Sequence, residues 1–183
     1  MLRVALFIAA SAAILRLSRR SLQDVRTHGF YRFFAFELLL GLILWNAALW
    51  WRDPFSWRQL VSYLLGAVSI GLAIEGFRLL RVIGRPAPAS DESANLAFEN
   101  TTALVTVGAY RWIRHPLYAS LLALAWSAYL KNPPGLASIV LTLGACVFLL
   151  ATALAEEREN LKRFGAAYAD YKKRTWRFIP FVF

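Results

Sequence analysis

Five apolar runs, each bounded by charged or turn-forming residues, set the pattern of this chain. They cover residues 2–17, 33–51, about 58–82, 117–130 and about 136–164. Runs of this length exceed ordinary strands and predict helices, most of them near the length of a bilayer crossing. The first run could be a secretory signal, since Ala10-Ser11-Ala12 resembles a cleavage site. The charge distribution described below favours a short first transmembrane helix instead. Trp45, Trp50 and Trp51 close the second run, as aromatic residues do at a membrane–water boundary. In the third, Ser62 and Gly66, and then Ala67 and Gly71, are spaced four apart, and small residues so placed let helices approach closely.

The fourth run has only 14 residues. At helical rise it spans roughly 21 Å, less than a hydrocarbon core of roughly 30 Å. Its start, at Pro116, is therefore expected below the headgroup level, and proline suits a first helical turn. Asn132-Pro133-Pro134-Gly135 predicts a tight turn that makes the fourth and fifth helices antiparallel neighbours. That pairing would bring His115 close to Glu156. The fifth helix should leave the membrane near Ala155 and continue as a charged helix, with Glu159 and Arg163 as an i,i+4 pair and Gly165 as its C-cap. Residues 166–174 predict a short amphipathic helix with Tyr168 and Tyr171 on one side, and the tail 176–183 is too apolar to float in water. The longest polar connection, 83–109, carries Ser90-Asp91-Glu92-Ser93; a loop of this length is more often functional than idle.

Composition sharpens the class. Of 183 residues, 58% are hydrophobic and only 17% charged, against about a quarter charged in soluble domains. This is an all-α polytopic membrane protein with one domain over 1–183. A net charge of +10 would suggest nucleic acid in a soluble chain, but here the basic residues flank apolar runs. With five spans and the N-terminus outside, 17 basic residues fall inside and 4 outside, which fixes the expected topology as N-terminus out and C-terminus in. Anionic lipid headgroups, not nucleic acid, are the expected partners of runs such as Lys172-Lys173-Arg174. The single cysteine, Cys146, reads as an apolar filler, and His28 and His115 lie in no metal-binding spacing, so no metal is expected.

Candidate chemistry gathers at Arg111-Trp112-Ile113-Arg114-His115-Pro116-Leu117-Tyr118, a polar cluster at the foot of an apolar helix, and at Glu156-Glu157 opposite. Such groups are costly near lipid unless they bind each other or a ligand. His28 reads as interfacial. Glu37 and Glu75 read as interhelical hydrogen-bonding groups, Glu75 with Arg78 as the expected partner one turn on.

These residues carry a resemblance. Leu104-Val105-Thr106-Val107-Gly108-Ala109-Tyr110, Arg114-His115-Pro116-Leu117-Tyr118, Asn132-Pro133, Glu156-Glu157, Phe164 to Tyr171 and Ile179-Pro180-Phe181 occur in the order and spacing of one group. In them the chain resembles the isoprenylcysteine carboxyl methyltransferase and phospholipid methyltransferase superfamily of integral membrane enzymes. The resemblance implies a methyltransferase that binds S-adenosyl-L-methionine through a core at 95–181, without a Rossmann fold. It implies that Thr102, Ala103, Leu104, Val105 and Tyr110 line the adenosine region. His115, Pro116, Leu117 and Tyr118 would hold the cofactor, partly through main-chain N–H groups, and Glu156 would face its ribose or ammonium. It further implies a lipophilic or prenylated substrate drawn from the bilayer, and an active site on the cytosolic face of an inner or plasma membrane.

Two positions depart from the family pattern. Ser120 stands where a glycine is usual. Thr152 stands where carboxyl methyltransferases carry an arginine four residues before the first glutamate. Recognition of a substrate carboxylate would then fall to Arg78 or Arg158, with Thr152 beside the substrate. A prenylcysteine O-methyltransferase is the favoured expectation. A phospholipid N-methyltransferase or small-thiol methyltransferase is the alternative; a sterol-reductase-like NADPH enzyme or a non-catalytic membrane protein is the alternative from another class.

Overall fold

The computed structural model describes residues 1–86, 96, 99–132 and 135–182. The expected core of the polar loop, 90–93, and the prolines of the 132–135 turn lie outside them. Six α-helices follow in chain order: α1 (Leu2–Ser18), α2 (His28–Asn46), α3 (Trp57–Val82), α4 (Pro116–Leu130), α5 (Leu136–Phe164) and α6 (Ala166–Lys173). Short 3₁₀ turns occupy Ser21–Gln23, Ala47–Leu49 and Gly108–Arg111, and the described residues form no β-strand beyond two isolated bridges. Three segments, His28–Leu49, Trp57–Val82 and Leu136–Phe164, are long and apolar enough to cross a membrane, while α4 is a shorter apolar helix. Leu64, Ile70, Ile74, Val140 and Val147 stand exposed along them, the outward face such a protein turns to lipid.

Each helix boundary has a local cause. Ser56 caps α3 by accepting from the Gln59 N–H. Pro116 occupies the first turn of α4. Gly165 ends α5 at φ +54°, its N–H donating to the Leu161 carbonyl. The second helix starts at His28, not at 33: although polar, His28 and Arg32 are buried and belong to the helix.

Two helix pairs build the core, α2 on α5 and α3 on α4, with α1 laid on α2 through the Ser11 hydroxyl donating to Glu37 at 2.6 Å. The α4–α5 contact that the 132–135 turn predicts exists but is the lesser one. On α2–α5, Phe34 stacks on Phe148 at 5.1 Å. Small residues bring α3 and α4 together: the Ser62 and Ser127 hydroxyls each donate to the other residue's carbonyl at 2.8 Å. Gly66 faces Ser127 and Gly76 faces Leu117 in that contact, whereas Gly71 faces open space and takes no part. At the end of the bundle away from His115, the Asn46 amide donates to Ala128 O, Ser138 donates to Asn46, and the Lys131 ammonium donates to Gln59 while lying 3.9 Å from the Tyr63 ring centroid.

Candidate functional site

The start of α4 is held by the chain's end. The tail runs alongside it, so that Arg114 N–H donates to Trp176 O, His115 N–H to Arg177 O and Trp176 N–H to Trp112 O. The tail is thus anchored as its apolar character requires, with Phe178 buried against Ile113 and Tyr118. One expectation changes here. The main-chain donors of Arg114 and His115 are occupied by the tail, leaving those of Leu117 and Tyr118 as the donors at the helix start.

Beneath this junction Glu157 is buried at 3% exposure among cations. Arg114 Nε lies 3.0 Å, Arg177 Nε 3.1 Å and Lys172 Nζ 2.8 Å from its carboxylate. One carboxylate from α5 therefore ties together the start of α4, the end of α6 and the tail. Its neighbour Glu156 faces the other way. It accepts from the Tyr118 hydroxyl, lies 3.8 Å from His115 Nδ1, and forms no ion pair with Lys or Arg among the described residues. His115 stacks on Tyr118, with ring centroids 5.4 Å apart.

Glu156, His115 and Tyr118 line a cavity of about 280 Å³, near the lower end of ligand-pocket sizes. Leu104, Val105, Tyr110 and Leu117 also line it, so seven of the ten residues expected to hold the cofactor share one cavity. Thr102, Ala103 and Pro116 do not. The Thr102 hydroxyl donates to Arg85 O, and Thr101 takes its place at the cavity. The three residues considered for a substrate stand apart from the cavity too. Arg78 and Arg158 are exposed on their helices, and the buried Thr152 donates to the Phe148 carbonyl of its own helix.

Several cavity residues were not among the expected site residues: Arg32, Phe36, Phe77, Glu99 and Asn160, together with Tyr168 and Tyr171, which the sequence placed on one side of α6 without a site role. Arg32 pairs with Glu99, and Glu99 also lies 3.2 Å from His28 Nε2. His28 is buried, not interfacial, and holds Glu159 at 2.7 Å. Glu159 therefore leaves its expected partner Arg163, whose guanidinium donates to the Glu99 and Thr101 carbonyls. Burial alone would raise the Glu99 pKa, but hydrogen bonds from His28 and Arg32 and their charge hold it at about 2. Burial, reinforced by the Glu156 charge, raises the Tyr110 phenol well above its usual range. The Tyr171 phenol is raised by burial and donates to Tyr110 O at 2.6 Å. Glu75 meets Ala109 N–H at 3.0 Å, not Arg78, and so steadies the turn that presents Tyr110.

Among the described residues, two buried polar atoms at this cavity have no hydrogen-bond partner, Arg32 Nε and Tyr168 Oη, whereas His115 Nε2 lies 3.6 Å from Glu157 Oε1. Buried polar groups are seldom left so, which suits a polar ligand in this cavity.

Comparison with known proteins bears on this same region. Residues 92–163 match the model of the isoprenylcysteine carboxyl methyltransferase family. A mouse protein-S-isoprenylcysteine O-methyltransferase is 34% identical over 85 residues, 45% of this chain and 29% of that protein. Its counterpart from Tribolium castaneum is 35% identical over 81 residues, 43% of this chain and 28% of that protein. A methanethiol S-methyltransferase of Mycobacterium tuberculosis is 27% identical over 71 residues, 39% of this chain and 28% of that protein. The chain thus spans under a third of the length of the curated relatives it matches.

Proposed function

We propose, from the match of residues 92–163 to the isoprenylcysteine carboxyl methyltransferase family, that the chain is an integral membrane methyltransferase of that family using S-adenosylmethionine on a lipophilic acceptor. The observation that carries this reading is the cavity in which Glu156, without a Lys or Arg partner among the described residues, meets the helix start at Leu117–Tyr118. The cofactor bears an ammonium, a carboxylate and a ribose diol, and this wall offers both an anion and N–H donors to meet them. Glu156 takes the ammonium or the diol. The Leu117 and Tyr118 N–H groups take the carboxylate. Leu104, Val105 and Tyr110 pack against the adenine. When bound, S-adenosylmethionine supplies a methyl group on a sulfonium, ready for displacement.

The residues' task is to align and to exclude water. The Tyr118 hydroxyl fixes the Glu156 carboxylate, and Asn160 supports it from one turn on. Phe36, Phe77 and Leu121 give the cavity an apolar side on α2, α3 and α4, suited to an acceptor that arrives from lipid between helices. In the proposed topology, five spans with the N-terminus out, this chemistry lies on the cytosolic side. A prenylcysteine carboxylate would meet Arg32, the guanidinium of α2 at the cavity, in place of Arg78 or Arg158.

A second acceptor is favoured by two observations. Thr152 leaves α5 without a cavity-facing cation, and the Arg32 charge is already met by Glu99. Both suit a neutral thiol, as does the resemblance to a methanethiol S-methyltransferase.

Calorimetry with S-adenosylhomocysteine tests the cofactor. Wild type is expected to bind, and Glu156→Gln to bind about 10- to 100-fold more weakly, the worth of a charge-assisted hydrogen bond. Absence of binding, or binding indifferent to both Glu156→Gln and His115→Ala, refutes the reading. Labelled-methyl transfer to a prenylcysteine and to small thiols then separates the acceptors.

A further inference from the structure

A second hollow, of about 530 Å³, shares the Tyr171 wall with the first but no other residue. Arg111 and Arg174 converge on it, with Trp112 and Trp176 and the hydroxyls of Thr106 and Thr175. The neighbouring cations are committed elsewhere: Arg114, Lys172 and Arg177 to Glu157, and Lys173 to Asp170. Arg111 and Arg174 form no ion pair among the described residues. Arg111 lies over the Trp112 ring at 5.4 Å, a stack that still leaves a guanidinium its edge donors for an anion.

The rim of this hollow is apolar and uncovered. Phe181 packs on Trp176 at 4.6 Å and near Trp112 at 5.9 Å, yet it is itself 72% exposed, and Ile179 and Val182 stand exposed beside it. Trp112 is three residues before His115, the cap of α4, so the rim sits where an apolar helix begins. Two guanidiniums without an ion pair among the described residues, beneath exposed aromatic and aliphatic groups, match one ligand in both halves. A free phosphate would use the arginines and leave the rim in water. An acidic peptide would do the same with its carboxylates. A phospholipid uses both, its headgroup in the hollow and its acyl chains along the rim.

We propose that this hollow is a binding site for the phosphodiester headgroup of an acidic phospholipid, gripped by Arg111 and Arg174 and flanked by Trp112 and Phe181. The site is separate from the methyl-donor cavity and does not depend on the reading given to that cavity. The two meet at Tyr171, whose hydroxyl holds the Tyr110 carbonyl.

The test uses the full chain in nanodiscs made of phosphatidylcholine with phosphatidylglycerol. After extraction, native mass spectrometry counts the phosphatidylglycerol that stays bound. Wild type is expected to retain it in preference to phosphatidylcholine. Each guanidinium at an anionic surface is worth about fivefold in retention, so Arg111→Gln with Arg174→Gln should lower it roughly 20- to 30-fold. Arg111→Lys with Arg174→Lys, which keeps the charge but not the planar fork, should fall between. If the double glutamine variant fails to fold, as judged by thermal unfolding, the single changes serve, each with about a fivefold loss expected. Equal retention by wild type and the glutamine variants would overturn the site. So would displacement of the lipid by inorganic phosphate or by an acidic peptide at concentrations that leave wild-type folding intact.

Discussion

Glu99 concentrates the electrostatics of the cavity in one residue. Its carboxylate meets His28 and Arg32, residues 71 and 67 positions away in the chain. Its ordinary pKa of 4.5 falls to about 2 in the folded protein. A carboxyl whose folded pKa is depressed adds stability that is fully present above its unfolded pKa and lost as pH falls through the folded value. Stability of the purified protein should therefore decline between pH 4.5 and about 2. Glu99→Gln should be less stable at neutral pH and show a flatter profile through that window, read by thermal unfolding in detergent. A variant whose profile matched wild type would place the acid sensitivity elsewhere. The interfacial reading of His28 fails for a related reason. A histidine before an apolar run looks interfacial until its partners are known, and those partners come from 71 and 131 positions downstream.

At the scale of elements, the turn Gly108–Arg111 shows how a short segment gains its position from a neighbouring helix. Gly108 stands at φ +59°, a conformation that L side chains rarely adopt. A Cβ there would lie 2.5 Å from Glu75 Oε1 and 2.6 Å from Leu79 Cδ1, and Glu75 is the acceptor for Ala109 N–H. Gly108→Ala combines backbone strain with displacement of that carboxylate, and is expected to cost about 1–3 kcal/mol and to weaken S-adenosylhomocysteine binding. Glu75→Gln, which keeps an acceptor, should be much milder; equal effects on unfolding and binding would refute the steric account. The boundaries of α3 to α6 are legible in the sequence, because turn residues and helix caps act locally. The partner of Glu75 was not, since Arg78 one turn away and Ala109 across a loop satisfy the same chemical need.

The whole molecule closes its site with its own C-terminal tail. Residues 176–178 supply the carbonyls that fix Arg114 and His115 and the ring that buries Ile113 and Tyr118, while Arg177 joins Arg114 and Lys172 on Glu157. Ending the chain after Thr175 removes all of these at once. The truncated protein is expected to lose S-adenosylhomocysteine binding at least about 100-fold, because the cavity wall at His115 and Tyr118 loses its support. Arg177→Gln alone should weaken it less, since Arg114 and Lys172 remain on Glu157. Full binding by the truncated chain, measured by calorimetry, would show that the tail only packs.

What the sequence determined by itself was the set of helices, their caps and the pairing of His115 with Glu156. Apolar run length, proline at a helix start and glycine at a helix end are properties of neighbouring residues, and the order of the motifs carried the family. What only the tertiary structure decided was which face each polar group takes. Glu156 and Glu157 are adjacent in the chain, yet one helical step turns Glu156 to the cavity and Glu157 to three cations. Arg32 and Tyr168 reach the cavity only because α2 packs along α5 and α6 folds back beneath them. A buried charge is stable only beside partners, and partners brought from tens of residues away are written in the packing of helices, not in the spacing of letters along the chain.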